Sequence, residues 1–530
     1  MELGRKPLWD GENTSGANIS NWLDDNQNRL FSPLSRDIET DVVIVGGGMS
    51  GVSIAYEMTN RGYSVVLIED GSLGSGETGR TTAHLSSALD DRYYSLQSLL
   101  GKENAKLAYE SHQSAIDYIE KIVQKENISC DFKRVPGYLI PHASDRVENI
   151  VKEFEAAKEC GAQVELVNEV PGLIIQPLKA IKFKNQGQFH PLKYLFGLAE
   201  IIQARGGKIF TNTHADKIEG NTVITSNEHK IEADYIVVAT NSPINSKFVV
   251  PMIQYSYRTY AIAALIEKGK LPSVLWWDTG DMNEDSDTPP YHYVRTQEYN
   301  AESDLLIIGG EDHKTGIMND DTESERFGRL ESWARERFEI QRVIYKWSGQ
   351  VLEPYDGMAF IGKNIADKDN TFISTGDSGH GMTHSVIAAM LIPDLIQGVE
   401  NVWESLYKPG RVNLKATKIA FKEIFNTLIN YYKNKPDSPE VSELESLPVN
   451  KARIVEYKGH KAGVFKDENG EIHVVSATCT HMGCIVSWNN IENTWDCPCH
   501  GSRFTITGEV INGPANAALE RIDEGINNPK

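Results

Sequence analysis

Cysteine is scarce: six residues in a chain of 530, four of them crowded between positions 479 and 499. Crowding of that kind points to a metal site rather than a disulfide scaffold. Long apolar runs are missing. The longest, Tyr260 to Ile266 and Ile387 to Ile392, end at charges or at Pro393 and fall well short of the ~18 residues of a membrane span. The opening stretch, Met1 to Asn13, has no apolar segment behind its basic residues, so no secretory signal is expected and the cytosol is the expected compartment. Basic charge is in deficit, with 53 Lys and Arg against 74 Asp and Glu and a net charge of -21. That balance argues against nucleic-acid and anionic-membrane partners, which need clustered Lys and Arg. No internal repeat or low-complexity tract is visible. The remaining composition, 40% hydrophobic and 24% charged, is that of an ordinary globular protein, and the length predicts roughly three or four domains.

The crowded cysteines fall in two blocks, Cys-Thr-His-Met-Gly-Cys from Cys479 to Cys484 and Cys-Pro-Cys-His-Gly-Ser from Cys497 to Ser502. Cys479 and His481 in the first and Cys497 and His500 in the second make two thiolates and two imidazoles in mixed pairs. A [2Fe–2S] cluster with two sulfur ligands on one iron and two nitrogen ligands on the other needs this set. A Cys2His2 zinc site has the same ligand types but pairs Cys with Cys and His with His. A haem attachment needs C-x-x-C-H, and Cys497-Pro-Cys-His lacks one spacer. Cys130 and Cys160 stand alone and read as plain core or surface thiols.

Upstream, Asp41 to Val45 is an apolar run of strand length that ends in Gly46-Gly-Gly-Met-Ser-Gly51. Helical spacing follows to Arg61, Gly62 breaks it, and Ser64 to Glu69 reads as a second strand. This is a strand–turn–helix–strand unit with G-x-G-x-x-G at its first turn (Gly46, Gly48, Gly51) and an acid, Glu69, closing the second strand. Such glycines let backbone approach a pyrophosphate at a helix N-terminus, and Glu69 has the reach for ribose hydroxyls. The motif predicts a dinucleotide site without choosing between NAD and FAD. The loop Gly74 to Thr82, the strand Ala233 to Asn241, and the strand, turn and helix from Thr371 through Thr383 to Ile392 offer further contacts along a long cofactor.

These pieces together resemble the D-amino-acid-oxidase-type FAD oxidoreductases, the group of glycine, sarcosine and γ-glutamylputrescine oxidases. The matching stretches are 41–51, 75–80, 237–241, 356–362 and 374–383, in the family's order. The resemblance implies an α/β FAD-binding Rossmann-like part built from about 38–110, 185–250 and 345–425. It also implies an α+β substrate part from about 110–185 and 250–345, whose antiparallel sheet covers the flavin. It assigns FAD to Gly46, Gly48, Met49, Ser50, Gly51 and Glu69 at the ADP half. Arg80, Thr81, Thr82 and Thr240 would lie along its length. Gly376, Gly379, His380, Gly381, Met382 and Thr383 would meet the isoalloxazine edge. Candidates for the substrate pocket are Tyr257, Tyr293, Arg295, His313 and Gln350, with Arg295 and Tyr257 as the catalytic choices and Arg295 able to hold a carboxylate bidentately. Gln350 stands where relatives often have Arg. His84 is a candidate for a covalent flavin tether, though an ordinary buried histidine is the better expectation.

After an N-terminal extension (1–37) and the flavin part (38–425), a helical run from Phe421 to Tyr432 gives way to a charged, proline-bearing linker (426–445). The last segment, 446–530, resembles an all-β Rieske domain throughout. In that family the two cysteines bind the inner iron and the two histidines the outer one, and Cys484 and Cys499 fall where respiratory-type members carry a disulfide. Ser502 matches a serine that donates to cluster sulfur. Phe504 replaces a tyrosine, which implies a lower potential. Gly513-Pro-Ala515 matches a loop that shields the cluster. No second nucleotide fingerprint and no mononuclear iron motif is found, so the expected reductant is an organic amine or amino acid. FAD would take a hydride from it, and electrons would leave singly through exposed histidines at the cluster to a protein or quinone-like acceptor. The alternatives are reversed flow, into a reductase or oxygen-using flavoenzyme, and a redox-sensing or binding protein with a non-catalytic cluster.

Overall fold

In a computed structural model of the chain, the described residues are 18–24, 30–245, 250–281, 291–317, 323–365, 370–411, 447–457 and 459–522. The expected helix 421–432 and linker 426–445 lie outside them. The described residues form two large sheets and two small ones.

The first large sheet runs Phe360–Lys363, Thr371–Thr375, Lys230–Val238, Ile38–Val45, Val65–Ile68, Lys208–Phe210. Its central pairs are parallel. Val42, Val43, Ile44 and Val45 are all buried, as a parallel strand covered on both faces requires. Helices Met49–Asn60, Pro191–Ala204 and Gly381–Gln397 pack together on one face. The last of these runs past Pro393, where the sequence predicts an end at Ile392. Proline removes one hydrogen bond to the preceding turn, but Leu391, Ile392, Pro393 and Ile396 are all in the core, and that packing carries the helix on to the left-handed Gly398.

The second sheet is mainly antiparallel and centres on the long strand Gln254–Glu267, between Val343–Pro354 and Ser303–Lys314. Strand alternation gives it two apolar faces. Ala261, Ala263, Leu305 and Ile307 join the main core, whereas Tyr260, Ile262, Leu306 and Ile308 pack under helix Glu323–Arg337. The register slips between Arg258 and Tyr260 opposite Gly310, and Glu311 has a positive φ of 60°. This bulge reverses which side chains face the first sheet beyond it.

The C-terminal segment adds two small antiparallel sheets, over 451–476 and 487–512. From the N-terminal extension, Trp22 is buried and its indole donates to the Thr81 carbonyl at 2.6 Å. Asn18 donates to the Ile491 carbonyl at 3.1 Å, so this stretch fastens both halves.

Candidate active site and metal centre

Two cavities meet between the large sheets. The first, about 540 Å3, runs along the glycine turn and is lined by Gly46, Gly48, Met49, Ser50, Glu69 and Thr240. The second, about 170 Å3, lies under the antiparallel sheet and is lined by Arg80, Thr81, Thr82, Gly379, His380, Gly381 and Met382. Glu77, Thr78, Asn241, Asp377 and Ser385 line both, which joins them into one continuous slot.

Gly46 has φ +111, and a Cβ there would fall 2.4 Å from the Ala239 carbonyl oxygen; one at Gly51 would fall 1.9 Å from the Gly46 carbonyl. Neither position has room for a side chain, so backbone can line the cavity directly. Glu69 accepts from the Gly47 amide at 2.6 Å and the Gly71 amide at 2.9 Å, bracing the turn from inside the cavity. Burial, and then neighbouring Asp70, push its carboxyl well above the usual range. At the other end, helix Gly381–Gln397 points its N-terminus into the second cavity. These features fit a dinucleotide with a flavin at the inner end.

Three expected cofactor residues do not line the slot. Gly51 lies behind Gly46, Gly376 packs against Pro354 and Gln254, and the Thr383 hydroxyl is engaged with His112 Nδ1 at 2.8 Å. They shape the wall from behind. His84 does line it, but its Nδ1 meets the Thr82 hydroxyl at 3.0 Å and its Nε2 the Val294 carbonyl at 3.1 Å. Burial, and then Arg295, bring it down to about 3. It is a neutral, fully engaged imidazole.

The substrate candidates divide. Tyr257, Tyr293 and Gln350 line the second cavity. Arg295 does not. It is fully buried and donates to the carbonyls of Ala83 at 2.8 Å and Phe189 at 3.0 Å and to the Gln297 side chain, so its role is to hold the loop after Thr82, with no face left for a carboxylate. His313 is displaced by the bulge onto the far side, stacked on Tyr260 at 5.6 Å. Asp312 takes the cavity side instead. Sequence reading missed Asp90, Tyr291, Asp312 and Asp377. Asp377 sits inside the motif 374–383, where glycines drew attention; the others belong to no local pattern.

In the C-terminal sheets, Cys479 and Cys497 are buried side by side. The His481 and His500 rings are perpendicular with centroids 4.8 Å apart. His500 Nδ1 is buried with no hydrogen-bond partner among the described residues. Two adjoining thiols and two converging imidazoles, one with an orphaned nitrogen, fit the donor set of a mixed-ligand cluster. Cys484 and Cys499 form a disulfide joining the two loops. The Ser502 hydroxyl bonds Cys479 and accepts from the Ala515 amide at 3.0 Å, and Phe504 is buried with no hydroxyl to offer. Both histidines are half-buried, where exposure was expected; the loop 497–501, which carries His500, is docked on the flavin half.

That docking is close. Gly501 follows His500 directly, has φ +81, and a Cβ on it would lie 2.3 Å from Ser256 Cβ. Its carbonyl accepts from Gln350 Nε2 at 2.7 Å. Ser487 Oγ donates to the Gly316 carbonyl at 2.5 Å. Residues 509–513 of the cluster half close the first cavity, with Ala515, Asn516 and Ala518. Between the halves lies a buried charge network. Glu492 faces Arg258 at 3.7 Å, with both fully buried, and contacts Ser348, whose carbonyl accepts from Arg80 at 3.0 Å. Burial opposes charge on Glu492, yet Arg80, Arg258 and Arg503 hold its carboxyl below the ordinary range.

A parallel nucleotide-binding sheet, a second sheet roofing its inner cavity and a docked cysteine–histidine centre define a flavin-dependent oxidoreductase with an appended iron–sulfur domain. The chain belongs to the FAD dependent oxidoreductase family (DAO), whose pattern matches residues 41–395, and residues 438–523 match the Rieske [2Fe-2S] domain. It is 36% identical, over 93% of its length and 95% of the relative's, to the putative Rieske 2Fe-2S iron-sulfur protein YhfW of Bacillus subtilis. It is 24% identical to γ-glutamylputrescine oxidoreductase of Escherichia coli, over 69% of this chain and 86% of that one. In fold it is similar to glycine oxidase from Geobacillus kaustophilus, with a TM-score of 0.59 at 18% identity, covering 71% of this chain and 99% of the other. Its cofactors are accordingly FAD and a [2Fe–2S] cluster. No helix among the described residues is long and apolar enough to cross a membrane.

Proposed function

We propose that the chain is an amine or amino-acid dehydrogenase in which oxidation at the flavin is coupled, within one molecule, to the Rieske cluster and from there to an external one-electron acceptor. The observation that carries this reading is the Gln350–Gly501 hydrogen bond. It joins a residue that lines the flavin cavity to the residue next to a cluster ligand. FAD supplies a hydride acceptor for a C–H bond beside nitrogen, and the cluster supplies a one-electron carrier. The protein's part is to position them. Tyr257, Thr259 and Tyr293 roof the reacting space, His84 and Arg295 fix the loop that follows Arg80, and the Glu492 network holds the cluster half in place.

The names of the relatives support an organic nitrogen substrate: one acts on γ-glutamylputrescine and another on glycine. The half-buried His481, beside Met482, which is 47% exposed, is the side on which an acceptor would approach. The same reading sets the working domains as 1–37, 38–425, 426–445 and 446–530 and places the protein in the cytosol. Its test is anaerobic: an amine substrate is added to holoenzyme, followed by absorbance of the flavin and electron paramagnetic resonance of the cluster. Flavin bleaching followed by the anisotropic Rieske signal is expected. Flavin that responds only to an externally reduced ferredoxin would instead establish reversed flow.

A further inference from the structure

The second cavity is rich in acceptors, and several of its donors are already engaged. The Tyr291 hydroxyl donates to Asp90 at 2.6 Å, and the Tyr293 and Thr259 hydroxyls share a hydrogen bond at 2.5 Å. The two N–H groups of the Gln350 amide reach Ser256 Oγ and the Gly501 carbonyl, each at 2.7 Å. Arg80 is the one lysine or arginine among the described lining residues. It is engaged by the Ser348 carbonyl and by the charges of Glu492 and Glu77. By contrast, Asp312 Oδ1 and Gln350 Oε1 are buried with no hydrogen-bond partner among the described residues, and Gln350 is only 5% exposed.

The charge balance points the same way. Asp90, Asp312 and Asp377 all line this cavity. Burial pushes Asp312 and Asp377 each up to about 7; at Asp312 the Thr259 hydroxyl and the charge of His292 pull the other way without cancelling it. A ligand carboxylate would meet Asp90 and Asp312 with no free guanidinium, and the imidazole beside them, His380, already faces Asp90 at 3.5 Å. An ammonium would bring N–H donors to the Asp312 carboxyl.

Resting on the dehydrogenase reading above, we infer that the substrate is a diamine or polyamine without a carboxylate, one nitrogen flanking the oxidised C–H and the distal ammonium held by Asp312. Oxidation of such a substrate removes a hydride from carbon and a proton from the adjacent nitrogen. A C=N bond would replace the C–H and N–H bonds, with the hydride's electron pair going to the bound FAD and the proton to solvent.

The experiment compares ligands that differ only at the distal end: α,ω-diamines of three to five carbons, the matching alkylamines and the matching ω-amino acids. Binding is measured by calorimetry on holoenzyme whose two centres have been reduced beforehand with dithionite, so that no turnover intervenes. At the best-fitting chain length the diamine should bind at least tenfold tighter than the alkylamine, and the amino acid weaker than both. Asp312→Asn should remove most of the diamine's advantage, while Asp312→Glu, which keeps the charge, should retain part of it. If neither variant folds, the ligand comparison on the unaltered protein decides alone. An amino acid binding as tightly as the diamine, or no diamine exceeding its alkylamine, overturns the inference. Photoreduction of the flavin followed by detection of the cluster signal tests the internal coupling with no amine present, so either reading can fail without the other.

Discussion

Asp312 and His313 are adjacent in sequence and face opposite sides of the sheet, one into the flavin cavity and the other onto Tyr260. Burial acts on both, raising the acid and lowering the imidazole well below its usual range. A third buried group gives the clearest test of such burial effects because it is remote from both cofactors. Glu153 is 2% exposed and accepts from the Tyr93 and Tyr94 amides at 3.0 and 3.3 Å; burial pushes it up to about 7. Between its unfolded value of about 4.3 and 7, the folded protein holds a proton that the unfolded chain has lost, so stability falls as pH rises and levels off above 7. Glu153→Gln should abolish that share, gaining about 3 kcal/mol on the parent between pH 4.5 and 7.5. Denaturant titrations at several pH values check it; parallel pH profiles for the two proteins would refute it. At this scale the sequence was legible where chemistry is contiguous. Cys479, His481, Cys497 and His500 sit in two short blocks, and the glycine turn stands between its strand and helix. It was not legible where one residue of parity decides. The bulge at Gly310 and Glu311 swaps Asp312 for His313, and Arg295 is taken up by carbonyls from distant segments.

Among the elements, the docked cluster loop has the largest consequence. A linker can be read from Lys, Pro and Asp, but nothing in it tells where the following domain will rest. That depends on surface complementarity between segments about 150 residues apart, such as Gln350 and Gly501. Ser256 is buried at this contact, and its hydroxyl accepts from Gln350. Ser256→Leu would place a larger side chain where Gly501 leaves no space for even a methyl group. Transfer from flavin to cluster should slow at least tenfold, while the resonance line shape of the cluster, whose ligands lie on other residues, stays as in the parent. Stopped-flow absorbance after photoreduction checks this. An unchanged rate would mean that the contact is not the route.

For the whole molecule, the Glu492 network and the segment 509–518 make the two halves one unit. Asn516 Nδ2 donates to the Ile244 carbonyl at 2.7 Å, and Asn512 reaches Glu77 at 3.4 Å, so the cluster half forms part of the wall around the adenosine end of the slot. Removing one partner of a buried pair leaves a charge without compensation and typically costs about 3–5 kcal/mol. Glu492→Ala should therefore destabilise the holoenzyme by that order in urea, with a loss below about 1 kcal/mol speaking against a rigid interface. The central claim is that this interface carries electrons from flavin to cluster inside one chain. It is tested most directly by the rate of cluster reduction after flash photoreduction of the flavin, measured over a hundredfold range of protein concentration. A first-order rate independent of concentration is predicted. A rate that rises in proportion to concentration, with the cluster reduced only by other molecules, would contradict the account.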